Sequence, residues 1–227
     1  MGKRISHSLL DPWLGPPLKS LYKVLPIPHR FPPEGIVLIG HLLAILAAVG
    51  FAYSTNFWWA GVVAAIGVLG NHTADCLDGI HARSTGQCRN GGELLDHFTD
   101  LLSFSYWLVG ISIFCARLDL GLMAVICLYA TAVLTNIKAK MIGEFTLARF
   151  GPTEFKTLLA VYGIFLAGLV RLAPESQRPG NWSLGFFVSL IVFGVLQLLI
   201  NLWIGVRDVN AHGAPPDTTE WITNGDS

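Results

Sequence analysis

The fold is decided by residues 35–74, GIVLIGHLLAILAAVGFAYSTNFWWAGVVAAIGVLGNHTA, forty residues without one Asp, Glu, Lys or Arg. A helix needs about 20 apolar residues to cross a hydrocarbon core of ~30 Å. This stretch therefore holds two crossings, separated near Tyr53-Ser54-Thr55-Asn56. Further uncharged runs occupy 101–116, 121–137, 157–170 and 179–206. The expected fold class is an all-α integral membrane protein. Six transmembrane helices are expected near 36–53, 57–77, 93–116, 119–138, 155–173 and 184–206.

Composition agrees. Of the 227 residues, 52% are hydrophobic and 13% charged, against about 25% charged in soluble domains. A soluble globule and low-complexity disorder are both excluded. The formal net charge is zero, so no nucleic-acid partner is expected. Four cysteines at 76, 88, 115 and 127 show neither CxxC nor zinc spacing, and free thiols are expected.

Three segments follow. Residues 1–35 form an N-terminal arm, 36–206 the six-helix domain and 207–227 a polar, disordered tail. In the arm, Leu10, Leu14, Leu18 and Leu21 recur at near-helical spacing, with Lys19 and Lys23 off that face. An amphipathic interfacial helix fits, starting near Leu18 after Pro16 and Pro17. Basic residues set the orientation. With a cytoplasmic N-terminus, 12 of the 15 Lys and Arg fall inside, leaving Arg117, Arg171 and Arg178 outside. Both termini are then cytoplasmic.

The chemistry begins where the first uncharged stretch ends. Asp75-Cys-Leu-Asp78-Gly79-Ile-His-Ala82-Arg83 is followed, eight residues on, by Gly92-Glu-Leu-Leu-Asp96-His-Phe-Thr-Asp100. Spacings of three and four place each carboxylate pair on one helix face. The pairs lie at the cytoplasmic end of the second span and the start of the third, and the link between them turns the chain back. An Asp within a span costs roughly 2.5–3.5 kcal/mol, and four together repel. Hard divalent cations with oxygen ligands answer that problem. Arg83 offers a guanidinium fork to phosphate, and Gly79 and Gly92 permit close backbone approach. Metal-dependent chemistry on a phosphate ester is expected. The competing reading is solvated acids at helix ends, favoured at a helix N-terminus by the dipole.

The pattern Asp75-x2-Asp78-Gly79-x2-Ala82-Arg83-x8-Gly92-x3-Asp96-x3-Asp100 resembles the CDP-alcohol phosphotransferase signature at all eight fixed positions. The six-helix topology is similar too. The resemblance implies transfer of a phosphoalcohol group from a CDP-alcohol to an acceptor hydroxyl, with release of CMP. It implies that Asp75, Asp78, Asp96 and Asp100 hold two Mg2+ or Mn2+ ions. Asp100 is then the general base, with Asp96 beside it, and Gly79, Ala82, Arg83 and Gly92 line the CDP site. A homodimer is also implied.

The filler residues 81–87 and 92–97 look like choline and ethanolamine phosphotransferases, which join a CDP-alcohol to diacylglycerol. The chain length looks like phosphatidyltransferases that use CDP-diacylglycerol and a small polar alcohol such as inositol phosphate, glycerol phosphate or serine. Gly151-Pro152-Thr153-Glu154 is similar to a segment of the inositol-phosphate-using members. Where the family often has Pro-Asn-x-Ile-Thr, this chain reads Pro33-Glu34-Gly35-Ile36-Val37.

Other residues are read more plainly. His72, His81 and His97 surround the motif, with packing roles expected. Glu93 supports Asp96 or is an exposed acid at the helix start. Lys138, Lys140, Arg149 and Lys156 anchor the cytoplasmic loop to lipid headgroups or, in a minority reading, grip an acceptor phosphate. Trp58, Trp59, Trp107 and Trp182 lie near expected membrane boundaries or within spans, and interfacial belts account for most of them. Rivals from other classes are an ion transporter using intramembrane acids and a nucleotide-binding membrane scaffold.

Overall fold

A computed structural model describes residues 3–147, 150–172, 178–215 and 218. The elements run β1 (Lys3–Ser6), α1 (Asp11–Val24), α2 (Pro33–Tyr53), α3 (Trp58–Thr85), α4 (Asn90–Phe114), α5 (Leu118–Ile142), β2 (Glu144–Leu147), α6 (Pro152–Leu172) and α7 (Arg178–His212).

Five helices, α2, α3, α5, α6 and α7, are long and apolar enough to cross a membrane. The sixth expected span, α4, packs among them, but Glu93, Asp96 and Asp100 occupy its first three turns. Its apolar stretch therefore begins only at Leu101. The 155–173 span is real as α6, and its uncharged run is short because it carries Lys156 inside the protein.

α2 packs on α3 and α4, α3 on α6, and α5 on α4 and α7. Phe51, Trp107, Ile111, Leu159 and Leu166 lie fully buried at the centre. Trp107 is thus no belt residue; its Nε1 donates to the Ala44 carbonyl on α2 at 3.0 Å. Small residues let the helices touch. A Cβ on Gly61 of α3 would lie 2.5 Å from the Gly163 carbonyl oxygen on α6. Outward faces of α5 and α7 are apolar, including Leu122, Ile126, Leu196 and Trp203.

The arm differs from expectation in two ways. α1 starts at Asp11, with Pro12 in its first turn and Pro16 and Pro17 inside it. An early proline lacks only an N–H that has no helical partner anyway, so the start lies seven residues before Leu18. The arm also pairs as β1 with β2 in parallel, Lys3 opposite Glu144 and Ser6 opposite Leu147, a sheet absent from the all-α reading. At the other end, α7 continues to His212, into the segment expected to be tail. Residues 216–217 and 219–227 lie outside the described residues.

Candidate active site

α3 is 28 residues long, about 42 Å at 1.5 Å per residue. It ends at Gly86, whose φ of 71° is the left-handed cap that glycine adopts freely. Four residues later α4 begins, so the chain doubles back within one short link. The last turns of α3 thereby meet the first turns of α4. Carboxylate oxygens of Asp75, Asp78 and Asp96 lie within 4.8 Å of one another. Asp78 Oδ1 also accepts the Gly79 amide at 2.6 Å. Three hard oxygen donors at that spacing fit a divalent cation such as Mg2+ or Mn2+.

Asp100 stands one helical turn beyond Asp96 and is held differently. Lys156 of α6 donates to Asp100 Oδ1 at 2.9 Å and to Asp75 Oδ2 at 2.7 Å. Its side chain is 1% exposed, with Nζ 5.5 Å from the centre of the Phe104 ring. This corrects both readings of Lys156. It is neither a headgroup anchor nor a free grip for an acceptor phosphate, because its buried ammonium is already paired with two half-buried carboxylates. No sequence signal pointed to it, since its partners are 81 and 56 residues away. The other basic residues of that loop also resolve. Lys138 pairs with Asp208 of α7, Lys140 is exposed, and Arg149 lies outside the described residues.

Around the acids the remaining motif residues form a rim. Arg83 is exposed one turn after Gly79, and a Cβ at Gly79 would sit 3.2 Å from its Nη1, so the glycine leaves room for the guanidinium. Ala82 is half-buried beside it. Gly92 faces Glu34, whose Oε1 would be 3.6 Å from a Cβ there. Glu34 itself pairs with Arg89 at 3.0 Å. The departure Pro33-Glu34 thus ties the start of α2 to the start of α4.

Two polar clusters fasten the arm over this rim. His81, fully buried, donates from Nε2 to the Phe31 carbonyl at 2.8 Å. Its Nδ1 then accepts the Tyr22 hydroxyl at 2.9 Å. At the other end of α1, Glu154 Oε1 accepts from Ser8 Oγ at 2.6 Å and the Leu9 amide at 2.8 Å. Thr153 Oγ1 donates to Asp11 Oδ1 at 2.7 Å. The Gly151-Pro152-Thr153-Glu154 segment therefore serves as the anchor of α1. His97 packs near Phe145, ring centres 5.9 Å apart, and its Nε2 lies 3.9 Å from Glu93 Oε1. His72 is buried, and neither ring nitrogen has a hydrogen-bond partner.

Under α1 lies a cavity of about 900 Å³. Asp75, Asp96 and Asp100 contribute to its polar end, and Leu101, Phe104, Leu128 and Ile191 to an apolar wall. Lys138 is the one lysine or arginine lining it among the described residues. A cavity lined by both carboxylates and apolar side chains suits an amphiphilic molecule.

The chain is similar to several known proteins. The chain is 32% identical over 163 residues to the archaetidylinositol phosphate synthase of Pyrococcus horikoshii, covering 71% of this chain and 81% of that protein. It is 34% identical over 110 residues to cholinephosphotransferase 1 of Gallus gallus, and 32% over 108 residues to that of Homo sapiens. The match covers 32% and 27% of those two proteins, so the chain spans about a third of their length or less. The model of the CDP-alcohol phosphatidyltransferase family matches residues 32–206, from the start of α2 almost to the end of α7. With the acids and nearly all of the membrane helices inside that match, the chain is an integral membrane enzyme of the CDP-alcohol phosphatidyltransferase family.

Proposed function

We propose that the protein transfers a substituted phosphate from a CDP-alcohol of the choline or ethanolamine type to the hydroxyl of a lipid such as diacylglycerol. The observation that carries the acceptor is the charge of the cavity. A phosphorylated polar acceptor calls for free cations, yet among the described residues Lys138 is paired with Asp208 and Lys156 with Asp75 and Asp100. An uncharged hydroxyl beside an apolar wall needs no such partner. Asp75, Asp78, Asp96 and Asp100 are the residues that would hold the metal, and Gly79, Ala82, Arg83 and Gly92 those that would border the nucleotide. A bound Mg2+ or Mn2+ polarises phosphoryl oxygens and neutralises their charge. Asp100, with Oδ1 taken by Lys156, offers its other oxygen to the acceptor hydroxyl. The acceptor oxygen bonds to the phosphorus that carries the alcohol, the bridge to the cytidine phosphate breaks, and CMP leaves. In-line placement and charge neutralisation supply most of such catalysis. We place this site on the cytoplasmic face, with both termini on the same side, from the basic-residue bias.

A second reading has one specific support. The archaetidylinositol phosphate synthase is matched over 81% of its length, which favours a CDP-lipid donor and a small phosphorylated alcohol. One assay separates the two. Purified protein in lipid, with Mn2+, receives CDP-choline or CDP-ethanolamine with diacylglycerol, and separately CDP-diacylglycerol with inositol phosphate, glycerol phosphate or serine. CMP released only from the first set, and abolished by chelation, is the expected result. CMP only from the second set overturns the first reading in favour of the second.

A further inference from the structure

Lys156 is a cation already inside the acid cluster. Its ammonium engages Asp75 Oδ2 and Asp100 Oδ1, while Asp75 also converges with Asp78 and Asp96. Asp75 therefore stands between two positive positions. One is the three-carboxylate pocket, and the other is shared between Asp75 and Asp100 and holds Lys156. We propose that Lys156 is a positioning residue that makes the two metal positions unequal. A divalent ion binds readily at Asp75, Asp78 and Asp96, and a second one at Asp100 must compete with the Lys156 ammonium.

Charge supports the order. Four carboxylates against one ammonium fall short by three positive charges. One divalent ion leaves the cluster with one negative charge. A second turns it positive by one, and a diphosphate with two negative charges of its own returns it to one negative charge. The burial of Lys156 and Asp78 makes the balance consequential, because ions in a low-dielectric setting are costly without their partners. Lys156 cannot simply swing to water; it is 1% exposed, projects from a packed helix and has the Phe104 ring as a further neighbour. The second ion is thus expected to enter together with the nucleotide.

The inference rests on the metal-dependent reading above, but its test does not use turnover. Bound Mn2+ is counted per chain by equilibrium dialysis on detergent-purified full-length protein, with and without CDP. Wild-type protein should bind one Mn2+ tightly and a second at least about tenfold more weakly, with the gap closing when CDP is added. K156M, which removes the charge and keeps the length, should bind two comparably without CDP; K156R should keep the wild-type pattern. Two equal Mn2+ on wild-type protein without CDP would overturn the proposal, and so would a folded K156M that keeps the wild-type inequality. The wild-type arms decide the matter even if K156M does not fold. CMP assays that fail on every substrate pair while the Mn2+ inequality holds would remove the proposed reaction and leave this inference standing.

Discussion

At the residue scale, Asp96 is the sharpest probe. It belongs to the converging trio and sits in the second turn of α4, where its loss disturbs little packing. Asp96→Asn keeps the shape and removes the charge. It should lower kcat by about 100-fold or more, with thermal unfolding close to wild type. Near-normal CMP release from the purified variant would remove the metal mechanism. The carboxylates themselves were legible in sequence because their spacing is local, three and four residues along single helices. Lys156 was not, since a side chain that acts across 81 residues leaves no periodic trace. The place of Trp107 was open in sequence for a related reason. An indole suits an interface and a core equally, and only the carbonyl of Ala44 at 3.0 Å decides between them.

At the element scale, α6 carries Lys156 into the site, so its seating on α3 sets the position of that charge. The seat is the contact of Gly61 with Gly163, where a Cβ at position 163 would meet the Gly61 carbonyl oxygen at 2.8 Å. Backbone cannot yield as a flexible side chain does. Gly163→Val should cost about 1–3 kcal/mol of stability, read as a lower melting temperature in detergent. Its Mn2+ binding should weaken as well, because α6 is displaced. An unchanged melting temperature would show that the helices do not pack at this point. Charge-free runs revealed five of the helices, because hydrocarbon imposes length and polarity together. They were a poorer guide to α4, whose first turns serve the site rather than the membrane. They could not reveal β1 and β2, each four residues long, whose pairing exists only once distant segments are brought side by side.

At the scale of the whole molecule, topology follows from where the acids face. Cys88 is exposed in the link between α3 and α4, while Cys76, Cys115 and Cys127 are each half-buried. In a background with those three changed to serine, a membrane-impermeant maleimide should label Cys88 in inside-out vesicles and not in right-side-out ones. The opposite pattern would invert the proposed orientation and place the active site on the far side. The basic-residue bias suggested this arrangement from sequence alone. The arm's attachment to the bundle was less visible, because Glu154 and His81 look like ordinary polar residues until Ser8, Leu9 and Tyr22 reach them.

That attachment also dictates a sequence of events during synthesis. Lys3 finds its strand partner only at Glu144, and Ser8 its carboxylate only at Glu154. β1 is therefore made before its strand partner, and the pairing must wait while α2 to α5 are made and inserted. The cavity is roofed late, after most of its walls stand. A bulky fusion placed ahead of β1 would be carried through that wait to the edge of the finished cavity, whereas one placed after α7 would not.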